Sequence, residues 1–119
     1  AEGGFATNFA LDPTSSRSGD VRSRFEDEYD SGFDANVAMT YASTEVILAA
    51  IEEAGSADPE DINDTLGEIT VEDHVAAMPP ITFQDNGENE NALAPLFQVQ
   101  DLEDRVVAPE EFAETDPQF

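Results

Sequence analysis

The stretch 34–55, DANVAMTYASTEVILAAIEEAG, is the longest helical pattern in the chain and decides its fold class. Asp34 is a suitable N-cap, and Gly55 stands where a residue that ends a helix is expected. Apolar residues such as Val37 and Tyr41 are spread around much of the helix, and alanines between them allow close approach of a neighbour. Because so little of the helix surface is charged, the sequence predicts that other elements pack on more than one of its sides.

A shorter helix is predicted before this stretch. Residues 10–19 are typical of a loop, and residues 20–29 then place Val21, Phe25 and Tyr29 on one face. This spacing of four residues predicts an amphipathic helix whose opposite face is charged.

A third, compact helix is predicted over residues 58–67. Asp58 is suited to cap it, and Pro59 is suited to the first helical position, where proline is tolerated. Ile62 and Leu66 lie one turn apart and are predicted to form its buried pair.

Strand-like segments stand at both ends of the chain. The first covers residues 1–9, and the later ones cover 69–71, 80–83, 96–100 and 105–108. Residues 110–119 are predicted to form a poorly ordered acidic tail that Phe112 anchors. The order of a strand, three helices and then strands predicts an α/β or α+β fold.

The charge of the chain is extreme. Its 119 residues include 28 aspartates and glutamates against 4 arginines and no lysine, which gives a formal net charge of −24. Since 39% of the residues are hydrophobic and lie in periodic runs, a folded acidic protein adapted to molar salt is favoured over a disordered chain. The charge argues against nucleic acid and anionic lipid as partners, because both need basic patches.

The sequence predicts no catalytic site, metal centre or cofactor. There is no cysteine, and His74 is the only histidine, so we expect it at the surface rather than in a metal site. No nucleophile stands beside a base in a known motif. The run DNGENEN over 85–91 suggests a calcium loop, but Gly87 is third rather than sixth, and a hairpin turn is favoured.

Four segments in order carry a family resemblance. They resemble the C-terminal part of the type I periplasmic (solute-binding) proteins of the branched-chain amino acid ABC transporter family. The segments are AEGGFATNF at 1–9, the helix pair at 20–56, DPEDINDTL at 58–66 and PPITFQDNGENENALAPLFQVQDLEDRVV at 79–107. The chain departs from the family at Pro79-Pro80, where Gly-Pro is usual, and at Gln84, where an acidic residue is usual.

The resemblance implies the last third of a fold with two α/β lobes, joined by three crossing strands. Residues 1–9 would form a strand and hinge crossover. Residues 10–93 would form the helical part of the first lobe with the ITF strand, and 94–119 the return strands to the second lobe and the acidic tail. The hinge positions would be Thr7, Asn8, Asn91 and Ala94.

The resemblance also implies one ligand-facing position. It aligns with Ala38, flanked by Asn36, near the start of the long helix. The alternative is that Ala38 is only a packing alanine, as most alanines on helix faces are. An ordinary strand end is likewise the alternative to a hinge at Thr7 and Asn8. The other residues that hold an amino-acid head group would lie outside these residues.

The function that the resemblance implies is solute capture. The protein would be the extracellular substrate-binding component of an importer for branched-chain or related amino acids, anchored on the outer face of the cell membrane. It would close on its ligand about a hinge and deliver it to ABC permease subunits. The alternatives are a ligand-sensing regulatory or receptor domain of the same fold, and an acidic structural module. As a fragment it would expose apolar surface and self-associate.

Overall fold

The computed structural model describes residues 1–119 and is mixed α/β, as the sequence predicts. The strands belong to two small antiparallel sheets, and a 3₁₀ turn at Glu110–Phe112 follows the last of them. In chain order the elements are β1 (Phe5–Thr7), α1 (Ser16–Tyr29), α2 (Ala35–Ala54), α3 (Pro59–Leu66), β2 (Thr70–Val71), β3 (Ile81–Thr82), β4 (Leu96–Gln100) and β5 (Glu103–Ala108).

The sheets divide the chain into two parts. One sheet has the order β1-β4-β5, and together with residues 109–119 it forms what we call the sheet part. The other sheet pairs β2 with β3 and lies with the three helices in residues 8–95, which we call the helical part. The chain therefore starts in the sheet part, builds the whole helical part and returns.

Helix α2 begins and ends where the sequence predicts. The Asp34 carboxylate accepts hydrogen bonds from the N–H groups of Asn36 and Val37 at 2.9 and 3.0 Å. At the other end Gly55 has φ +62°, a left-handed conformation that glycine adopts without steric cost. These local signals fix both ends of the helix independently of its neighbours.

The packing of α2 differs from the prediction. Its buried residues form one narrow face made of Ala38, Ala42, Val46 and Ala50. Larger side chains on the other sides are exposed, because no other element of the chain covers them; Met39, Tyr41, Ile47 and Leu48 are 38–59% exposed. The prediction of packing on more than one side is therefore wrong for this chain. The self-association expected from such exposure stays a prediction.

Helix α1 is longer than predicted. It begins at Ser16, so residues 16–19 are helical rather than part of a loop. The Ser15 hydroxyl accepts a hydrogen bond from the Ser18 N–H at 3.4 Å and caps the helix. The Ser18 hydroxyl is buried and donates to the Val75 carbonyl oxygen at 3.0 Å. A serine-rich run is typical of loops, but here one serine caps and another packs.

Helix α3 is confirmed with Asp58 as its cap, but its predicted buried pair is wrong. Ile62 and Leu66 are both only half-buried. The helix lies against one side of α2, so its apolar face is covered incompletely.

Two hydrophobic clusters hold the chain together. The larger has 11 buried residues from α1, α2 and the segment 71–81, and lies wholly in the helical part with Leu11 and Phe33. The smaller has 4 buried residues and joins the parts: Ala10 and Ala77 from the helical part contact Val106 and Phe112 from the sheet part. Cohesion is therefore greater within the helical part than between the parts.

The residues after β5 are bound rather than poorly ordered. Phe112 is 6% exposed, which confirms it as an anchor. The Gln98 side chain donates to the Gln118 carbonyl oxygen at 2.6 Å and accepts from its N–H at 2.8 Å. Gln100 donates to the Asp116 carbonyl oxygen at 2.9 Å. Two buried glutamines on one face of β4 therefore hold the tail, an arrangement that composition alone does not indicate.

Candidate functional site

Both connections between the parts start at one end of the sheet. The chain leaves the sheet part after Thr7 and returns to it at Leu96, and these two residues are register partners of β1 and β4. The predicted hinge residues Thr7 and Asn8 stand at the first crossing, and Asn91 and Ala94 precede the second. Two chain crossings that lie side by side are the arrangement that lets two parts rotate relative to each other.

A cleft of about 420 Å³ lies beside these crossings, between the two parts. Its walls come from β1, β4 and β5 on one side and from α1 and the start of α2 on the other. Thr7, Asn8 and Ala38 all line it, so the structure brings together three of the residues that the sequence singles out. The cleft is of a size suited to a small solute.

Ala38 is also part of the main core. It is 2% exposed and belongs to the larger hydrophobic cluster, so the packing role of this alanine is real. Its small side chain leaves space at the floor of the cleft, and a larger residue there would fill that space.

Asn36 does not line the same cavity as Ala38. It lines a separate groove of about 840 Å³ between α1 and α2, together with Tyr29 and Tyr41. Residues two positions apart point to different sides of a helix, which is why one cavity does not collect both. The structure therefore separates the two predicted ligand-facing residues.

Asn91 and Ala94 also lie away from the lining of the cleft. The Asn91 side chain donates to the Pro80 carbonyl oxygen at 2.8 Å, and its N–H donates to the Asn89 side chain at 3.0 Å. These bonds hold Asn91 in the turn after β3, whereas Ala94 is exposed on the returning segment. If the second crossing bends, the freer position is Ala94.

Two charged residues of the cleft were missed by the sequence reasoning. Arg22 on α1 and Asp104 on β5 both line the cleft, and both line an adjoining cavity of about 530 Å³. Neither side chain takes part in an ion pair or a hydrogen bond. The sequence indicates only that Arg22 lies on the charged face of its helix. The one feature that could have drawn attention to Arg22 is that the chain has only 4 basic residues.

Two other arginines are fixed by carboxylates. Arg17 binds Glu45 and also Asp73, the latter at 3.2 Å, and so joins α1, α2 and the segment after β2. Arg105 binds Glu103 and Glu114, the latter at 3.0 Å. The hydrogen bond that Arg105 donates to Glu114 and the neighbouring negative charges raise the pKa of Arg105, which keeps it charged. Both arginines have structural roles.

His74 is half-buried and structural rather than a surface residue. Its Nδ1 accepts from the Ala76 N–H at 3.2 Å, and its Nε2 lies 3.1 Å from the Pro79 carbonyl oxygen. The first bond requires a lone pair on Nδ1, so Nε2 carries the proton and donates. The ring thereby braces the loop between β2 and β3.

The run after β3 is a turn, as predicted. The Gly87 N–H donates to the Gln84 carbonyl oxygen at 2.8 Å, and Gly87 has φ +83°. Beyond the turn the Glu90 N–H donates to the Thr82 carbonyl oxygen at 2.9 Å. The backbone geometry explains the Asn-Gly pair without a bound ion.

No group of three or more His, Cys, Asp or Glu side chains is arranged to hold a metal ion. No helix is both long and apolar enough to cross a membrane. No protein-family model matches the chain, and no curated protein is significantly similar to it. The candidate site therefore rests on the cleft and its residues.

Proposed function

We propose that this chain is the C-terminal part of an extracellular solute-binding protein that captures branched-chain or related amino acids for an ABC importer. The observation that carries the proposal is the cleft of about 420 Å³ between two parts whose chain crossings lie side by side. Thr7 and Asn8 stand at the crossing, and Ala38 stands in the opposite wall.

The proposed mechanism is binding by closure, without covalent chemistry. The solute enters between the sheet part and the helical part, and rotation about Thr7 and Asn8 on one crossing and Ala94 on the other brings the walls together. Closure is favoured only to the extent that the solute binds the closed form better than the open form. The small cluster joining the parts has 4 buried residues, so closure leaves the larger core intact.

The partners in this proposal are a small amino-acid-like ligand and the permease subunits that receive it. An extracellular protein is exposed to the salt of its surroundings, and a formal charge of −24 suits a medium in which like charges are screened. In the proposal, residues outside this chain complete the ligand pocket and anchor the protein at the membrane surface.

A ligand screen by thermal shift on the full-length protein in molar salt tests the proposal. Leucine, isoleucine and valine are the probes, with urea and an aliphatic amide as the neighbouring chemical classes. We expect at least one amino acid to raise the melting temperature by mass action on the native state. Thr7→Phe should abolish that rise by filling the cleft, whereas Thr40→Phe, in the groove between α1 and α2, should retain it. No rise with any probe would overturn the proposal.

A further inference from the structure

The cleft carries one unpaired charge of each sign on opposite walls. Arg22 projects from α1 in the helical part, and Asp104 belongs to β5 in the sheet part. Both residues line the cleft and the adjoining cavity, so they stand where the two spaces meet. Their positions are complementary, yet no ion pair joins them in this structure.

Arg22 differs from the two arginines that ion pairs hold in place. With 28 carboxylates and 4 arginines, a basic side chain has many possible partners. Arg17 and Arg105 each bind two carboxylates. Arg22 binds no carboxylate and faces the sheet part across the cleft, whereas Arg24, which also forms no ion pair, lines the groove on the other side of α1. Asp34, which also lines the cleft, caps α2.

We infer that Arg22 and Asp104 form an ion pair across the cleft when the two parts approach, and that this pair stabilises the closed form. The inference rests on the proposed hinge closure and assigns to it two specificity-determining charges. The pair is absent in the open form and present in the closed form, so it contributes only to the closed one. A solute whose own charges occupy Arg22 and Asp104 replaces the pair, and a neutral solute leaves it intact.

The expected size of the effect follows from exposure. Both side chains belong to exposed residues, and ion pairs of this kind shift an equilibrium by about two- to five-fold. Screening at molar salt reduces the shift, since the Debye length is then only about 3 Å. The pair therefore tunes closure and does not create it.

Proximity is tested first, by cysteine crosslinking without ligand. The chain has no cysteine, so the double variant Arg22→Cys with Asp104→Cys contains the only two thiols. We expect oxidation to join them, because closure brings the two positions within disulfide distance. The control, Arg24→Cys with Asp104→Cys, should stay reduced, since Arg24 lines the groove on the other side of α1. Failure of the first pair to crosslink would overturn the inference.

Charge reversal then tests the ion pair itself. Spin labels at Ser23→Cys on α1 and at Leu102→Cys between β4 and β5 report the distance between the two parts in the ligand-free chain. Arg22→Asp should lower the closed fraction by about two- to five-fold at low salt, and adding Asp104→Arg should restore it. Arg24→Asp makes the same change in net charge outside the cleft and should leave the closed fraction unchanged. Additive losses in the double reversal would overturn the ion pair, whatever the ligand screen shows.

Discussion

At the scale of single residues, Glu45 ties the helical part together. Its side chain is 13% exposed, binds Arg17 and accepts a hydrogen bond from the Val75 N–H at 3.1 Å. Val75 is 1% exposed, so its N–H has no access to water as a substitute partner. In the sequence Glu45 is one of three glutamates on α2, and nothing local distinguishes it from the two that are exposed.

Removing this carboxylate should be costly. We expect Glu45→Ala to lower the free energy of unfolding by about 1–3 kcal/mol, because the buried Val75 N–H is left without an acceptor. Glu45→Gln should cost less, since its amide oxygen still accepts from Val75. Denaturant unfolding in molar salt measures both, with Glu52→Ala on the exposed side of α2 as the control. Equal losses for Glu45→Ala and Glu52→Ala would contradict this role.

At the scale of elements, α2 shows which features the sequence can predict. Its ends are set by Asp34 and Gly55, whose capping chemistry acts within one turn, and both were predicted correctly. The buried face of α2 was not predicted correctly. The helix is apolar nearly all round, so contacts with residues distant in sequence determine which side packs against the core. The alanine-rich face is the buried one because small side chains allow neighbouring elements to approach closely, and the bulkier residues on the other sides of α2 are exposed.

A larger side chain on that face should therefore destabilise the protein. Ala42 is 3% exposed and belongs to the main core, so Ala42→Leu should lower the free energy of unfolding by about 1–3 kcal/mol through overpacking. Ser43→Leu, at the exposed neighbouring position, should change it by less than about 0.5 kcal/mol. Thermal or denaturant unfolding provides the comparison. A tolerated Ala42→Leu would show that the face is not tightly packed.

The C-terminal tail makes a second test at this scale. Gln98 is 1% exposed and holds the Gln118 backbone through both atoms of its amide. Gln98→Leu should release the tail, lower the free energy of unfolding by about 1–3 kcal/mol and remove the hydrogen-exchange protection of the Gln118 N–H. Gln84→Leu is the control, because its exposed side chain makes no hydrogen bond. Unchanged protection of Gln118 in the Gln98 variant would rule this anchor out.

At the scale of the whole molecule, charge dominates. A formal net charge of −24 on 119 residues, with two of the four arginines in ion pairs, leaves many carboxylates facing one another across the surface. Such repulsion opposes a compact state in dilute buffer. Screening shortens the range of the repulsion from about 10 Å at 0.1 M salt to about 3 Å at 1 M.

Stability should therefore rise with salt. We expect the free energy of unfolding to increase steadily between about 0.1 and 1 M potassium chloride, because the Debye length falls over this range from about 10 Å to about 3 Å. Glu52→Gln with Glu53→Gln removes two exposed negative charges and should flatten that dependence. Denaturant titrations at several salt concentrations measure it. A free energy of unfolding independent of salt would contradict adaptation to high salt.

The candidate site combines predicted and unpredicted residues for a physical reason. Thr7, Asn8 and Ala38 were expected from the family resemblance, and they do line one cleft. Arg22 and Asp104 were not, because residues on α1 and β5 meet only through the chain crossings, and neither lies in a recognisable motif. The order of helices and strands could be predicted from the periodicity of apolar residues. Which segments face each other across the cleft depends on the tertiary fold and could not be predicted.

The most direct test of the proposed solute capture is the distance across the cleft with and without a ligand. In the full-length protein, spin labels at Ser23→Cys on α1 and at Leu102→Cys between β4 and β5 place one probe in the helical part and the other in the sheet part. We predict that leucine, isoleucine or valine in molar salt shifts the distance distribution to shorter values. A distribution that stays unchanged at saturating concentrations of all three amino acids would contradict closure of this cleft on a branched-chain solute.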